Sequence, residues 1–162
     1  MSPSDPDEAA TYARSYWKDI KSDVKATLEE YHANGYEAVM LHPGVTTVLS
    51  TEYDDELCGL NVLVPRAELE EVASMTDTDR FDSAEIYNSH VGSLVLLGLF
   101  FFVEDPSRVV GFHSYYLPSE AETMLEEARE AGELSIRLHS QRGDDIVIDC
   151  QHPELFVPDG LE

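Results

Sequence analysis

Between Ser93 and Val103 nearly every position is apolar. A run of that length suits a buried strand or a buried helix. Val95, Phe100, Phe101, Phe102 and Val103 favour the strand, because aromatic and β-branched side chains fit a pleated surface. Alternation then sorts the run into two faces. Leu94, Leu96, Phe100 and Phe102 point one way; Val95, Leu97, Leu99, Phe101 and Val103 point the other. Both faces are apolar, so both need cover, from layers of the same chain or, on one face, from a second subunit. The run is shorter than the roughly 20 residues of a membrane helix, and Glu104 and Asp105 end it. Asp105-Pro106-Ser107 carries turn chemistry, and Arg108–Tyr116 returns as a second strand. Gly98 and Gly111 interrupt this hairpin, at places where a helix packs close or a ligand makes contact.

The flanking pattern supplies the other elements. Asp5-Pro6-Asp7-Glu8 opens a long helix, with Asp5 as cap and Pro6 at the first helical position. It runs to about Asn34-Gly35, where glycine supplies a left-handed stop. Its apolar stripe is Ala13, Trp17, Ile20, Val24, Leu28 and Tyr31. Tyr36–Leu41 and Val45–Ser50 read as strands paired in a hairpin about His42-Pro43-Gly44. Cys58–Val64 is a third strand, with Cys58, Leu60, Val62 and Val64 inward. Pro65 begins a short helix, Arg66 to about Met75, packing through Leu69 and Val72. Phe81–Val91 leads into the central hairpin. Ser119 and Glu122 match a capping box for the third helix, which Gly132 stops. Leu134–His139 and Asp145–Cys150 alternate as two last strands. Residues 1–5 are expected to fray, and 151–162 form a tail docked by Leu155 and Phe156. The fold class is therefore α+β, in one domain spanning residues 1–162. The order α-βββ-α-βββ-α-ββ predicts a mainly antiparallel sheet with a long N-terminal helix and two shorter ones.

Charge changes the picture more than length does. Among 162 residues, 33 are acidic and 10 basic, a formal net of −23. Such a balance suits molar intracellular salt, where a screening length of about 3 Å silences self-repulsion. It also suits a nucleic-acid mimic or a disordered acidic chain. The apolar patterning argues against disorder, and the even spread of the acids favours salt. In this the chain resembles acidic proteins of salt-in haloarchaea. The segments YEAVMLHPG and IDCQHPELFVPDG are similar to those of uncharacterised haloarchaeal proteins, a likeness that implies no activity and no residue's role. A polar, acidic start carries no signal peptide, so a cytoplasmic location with reduced Cys58 and Cys150 is expected.

Against that acidity, Arg14, Lys18, Lys21 and Lys25 stand on one helix. At 100° per residue they fall within about 60° of each other, and they include every lysine in the chain. Their stems can pad the core edge while their heads meet carboxylates; alternatively they form a cationic contact for an acidic partner or a phosphate. No aromatic-rich loop accompanies them, so nucleic acid is not expected. The six histidines lack the spacings of a metal site, and no cofactor or metal is expected. Asp54, Asp55 and Glu56 lack the spacing of a calcium loop. His113 and Tyr115 share a strand face with Gly111 and could line a pocket, joined by His42 and His152. Two readings follow. The first is a non-enzymatic interaction or regulatory module of a halophile's cytoplasm, with a protein partner or a second copy of itself. The second is a small hydrolase or ligand-binding protein with a histidine-lined pocket.

Overall fold

The computed structural model describes residues 6–53, 56–75, 81–91, 93–104 and 107–158, with side chains from residue 18 onward. The elements follow in the expected order: α1 (Pro6–Ala33), β1 (Glu37–Met40), β2 (Thr46–Leu49), β3 (Gly59–Leu63), α2 (Arg66–Met75), β4 (Ser83–Val91), β5 (Leu94–Glu104), β6 (Ser107–Tyr116), α3 (Pro118–Ala131), β7 (Leu134–His139) and β8 (Asp145–Cys150). The expected cap Asp5, the turn at Asp105-Pro106 and the acidic pair Asp54-Asp55 lie outside the described residues.

The strands build two sheets rather than one. Sheet A has the order β1-β6-β5-β4, and sheet B the order β2-β3-β7-β8. Both are mixed, which corrects the expectation of a mainly antiparallel sheet. β1 lies parallel to β6 and β3 parallel to β7, while the other neighbours are antiparallel. The expected β1–β2 hairpin is also corrected. Leu41 N–H still bonds the Gly111 carbonyl of sheet A, yet Gly44 N–H already bonds Leu63 of sheet B. The chain crosses between sheets within that short connection. The reason is burial: β1 carries Ala38, Val39 and Met40, packed against cores on opposite faces of sheet A. Such a strand needs a layer on either side, which a two-stranded hairpin does not provide.

β5 is the strand around which the layers form. Its odd-numbered residues Val95, Leu97, Leu99 and Phe101 meet Leu60, Val62, Ile136 and Ile148 of sheet B in one core. Its even-numbered residues Phe100 and Phe102 meet Val24 and Leu28 of α1; Leu94 and Leu96 pack with Ile20 and Tyr115. The alternation read from the sequence is thus the division between two cores, and the chain itself covers both faces. α2 and α3 add Leu69, Val72, Met75, Ala121, Met124 and Ala128 to the inter-sheet core. Arg108 fixes α2 by donating to the Ser74 and Met75 carbonyls at 3.1 and 3.0 Å, where the helix end is rich in unpaired acceptors. Gly132 (φ 71°) ends α3 as expected, but its start differs: Leu117 precedes Pro118 without a side-chain cap, so Ser119 is not a capping residue. In the tail, Phe156 is fully buried, and its carbonyl accepts from the Tyr116 hydroxyl at 2.6 Å; Leu155 stays partly exposed.

Candidate functional site: the two flanks of the first helix

α1 rests on the outer face of sheet A because Ile20, Val24, Leu28 and Tyr31 recur at helical spacing and are all at least partly buried there. Gly111 lets the helix settle. A Cβ at that position would stand 2.8 Å from Phe100 Cδ1 and 3.0 Å from Leu28 Cδ2. The expected reason for that glycine, close helix packing, holds.

One flank of α1 carries Lys18, Lys21 and Lys25, each exposed. Among the described residues none of them is in an ion pair. The side chains of Arg14, Ala13 and Trp17 lie outside the described residues. On the sheet side of this flank sits His113, buried on β6. Burial is the main reason its pKa falls to about 4, and the charges of Lys21 and His42 add to the effect. Its ring is therefore neutral at pH 7. His42, just beyond β1, is held from α2: Glu68 accepts from its backbone N–H at 2.7 Å and from its Nδ1 at 2.8 Å. That grip fixes the ring and leaves Nε2 for another partner, the way a carboxylate orients a histidine.

The structure thus brings His42 and His113 together, at neighbouring ends of β1 and β6. Tyr115 lies farther along β6, packed with Leu94, Leu96 and Leu117. His152 does not join them. It follows β8, beside Glu154 (Nδ1–Oε1 3.2 Å), and lines a cleft of about 690 Å³ between β8 and β4, the far edge of sheet A. Neither thiol is set up as a nucleophile: burial pushes Cys150 up to about 12 and also raises Cys58. Among the described residues no three His, Cys, Asp or Glu side chains stand where they could share a metal ion. No helix there is long and apolar enough to cross a membrane.

The other flank was not anticipated. α1 leaves β4 uncovered, and a groove of about 320 Å³ opens between them. Ile20, Val24, Leu96, Gly98 and Phe100 form its apolar floor, with Asp23, Thr27, Tyr87 and Ser89 around it. Beyond it, Tyr31 and Tyr87 both donate a hydroxyl to Glu85 Oε2, the latter at 3.0 Å. Burial and this carboxylate raise both phenols above their ordinary range. Tyr87 stands edge-to-face on Phe100, centroids 5.8 Å apart. The signals in the sequence were Gly98 within an apolar run and Asp23 with Thr27 one turn apart, away from the lysines.

A family model matches residues 5–158, nearly the whole chain. The chain belongs to this family of unknown function, DUF7529. No curated protein and no solved structure matches it. Within DUF7529, then, the two flanks of α1 have to be read from their own chemistry.

Proposed function

We propose that this DUF7529 protein is a non-enzymatic interaction module of a salt-rich cytoplasm, which docks an acidic protein partner along Lys18, Lys21 and Lys25, with Arg14 continuing the line. The observation that carries this reading is the exposure of those three lysines, with no described carboxylate in ion-pair contact, in a chain of net charge −23. A lone cation among so many carboxylates would be expected to find one. In dilute buffer the field of this chain would repel an acidic partner. At about 1 M salt the screening length of about 3 Å leaves only contact pairs, so docking becomes local. Each exposed pair contributes about 1 kcal/mol or less; the partner must therefore bury surface as well.

The hydrolase reading draws less support. The histidines proposed for its pocket are divided between the β1–β6 end and the β8 edge.

The test is Lys18→Glu with Lys21→Glu, compared with the wild type in molar KCl. Circular dichroism should show an unchanged fold, while a partner captured by the wild type is lost. Equal capture by both proteins would remove the proposal. A homodimer that the substitutions dissociate, seen by sedimentation, would identify the partner as a second copy. The salt premise has its own readout: in dilute buffer the fold and tryptophan emission should loosen, and a protein equally compact there contradicts it.

A further inference from the structure

We propose that the groove between α1 and β4 binds a small apolar molecule bearing a protonated amine. Three observations converge on it. The first is Gly98. Its backbone is not in the left-handed region, and a Cβ there would meet nothing closer than 3.8 Å, at Phe100 and Val24. Neither backbone geometry nor packing asks for glycine, and a glycine inside a strand weakens it. What the missing side chain does provide is the floor of the groove. A local rule broken without local compensation marks a functional position.

The second observation is size. At about 320 Å³ the groove matches the small end of ligand pockets, roughly 300–1,000 Å³. A docked helix, about 10 Å across with its side chains, needs more room than that. The third is charge. Asp23 stands on the rim, Glu85 is held at the β4 end by two tyrosine hydroxyls, and Glu30 is close enough to act on Tyr87. The lysines lie on the opposite flank of the helix. An anion is therefore disfavoured, whereas an ammonium group could pair with Asp23. The exposed ring of Tyr87 adds a face that attracts a cation. The apolar floor takes the remainder of the ligand.

Phenethylamine is a suitable probe, with 2-phenylethanol and 3-phenylpropionate as its neutral and anionic counterparts. In molar KCl, titration followed by two-dimensional NMR should shift Val24, Leu96 and Gly98 saturably. The amine should bind about three- to fivefold tighter than the alcohol, the contribution of one exposed ion pair. Gly98→Val should fold and lose the amine, and Asp23→Asn should bring the amine down to the level of the alcohol. Lys21→Glu should leave the affinity unchanged, which separates this site from the cationic flank. No saturable shift up to about 20 mM amine would overturn the proposal. So would amine binding retained in folded Gly98→Val, or 3-phenylpropionate binding as well as the amine. Should Gly98→Val fail to fold, Asp23→Asn decides alone: unchanged preference for the amine over the alcohol overturns the assignment.

Discussion

The two flanks of α1 cross the same sheet and meet it differently. Over β6, Gly111 removes a side chain and the helix closes the space, with Leu28 and Phe100 filling it. Over β4 and β5, Gly98 removes a side chain and the space remains, bounded by Val24, Phe100 and Tyr87. The closed flank carries exposed cations and buries a neutral histidine; the open flank carries carboxylates and an exposed tyrosine. The same residue type serves packing on one side and leaves a cavity on the other. What distinguishes them is the distance to the next layer.

The largest expected effect is at the closed flank. Gly111→Val would force methyl groups into the ring of Phe100, itself held among Tyr31 and Tyr87. Overpacking of this kind should cost about 3 kcal/mol, read from denaturant midpoints at fixed KCl. A variant as stable as the wild type would mean that the flank is not closed.

Next comes His113. Its folded-state pKa of about 4 lies below its ordinary 6.5. The unfolded chain therefore binds the proton more readily, and the neutral ring contributes stability that is whole above about pH 6.5. That contribution is lost as pH falls through 4. The loss should be on the order of 2 kcal/mol. It is measured as the difference between wild type and His113→Leu, since the carboxylate titrations are common to both. Parallel pH–stability curves would show that the ring is solvated rather than enclosed under α1.

The smallest effect belongs to the open flank and has the opposite sign. Gly98→Ala adds a Cβ at ordinary contact distance, 3.8 Å from Phe100 and Val24, and removes a glycine from a strand interior, so stability should rise by about 0.5–1 kcal/mol. A loss comparable to that of Gly111→Val would erase the contrast between the flanks.

Much of this was legible in the chain. The two faces of β5, the apolar side of α2, the inward set of β3 and the stop at Gly132 follow from local periodicity and turn chemistry. The candidate site was legible only in part. The lysine flank is a matter of helical angle, and it could be read directly. The pairing of His42 with Glu68 joins residues 26 apart and depends on where α2 lies. The separation of His152 from His42 depends on sheet order.

By itself, then, the sequence determined which side chains leave water and in what order helices and strands occur, because burial periodicity is a property of neighbouring residues. Only the tertiary structure decided that β1 abandons β2 for β6, that the eight strands of the described residues split into two mixed sheets, and that Gly98 opens a groove while Gly111 closes a contact. Strand partnership and helix-to-sheet spacing arise between residues distant in the chain. Many pairings satisfy the same local alternation, and the one adopted covers both apolar faces of β5.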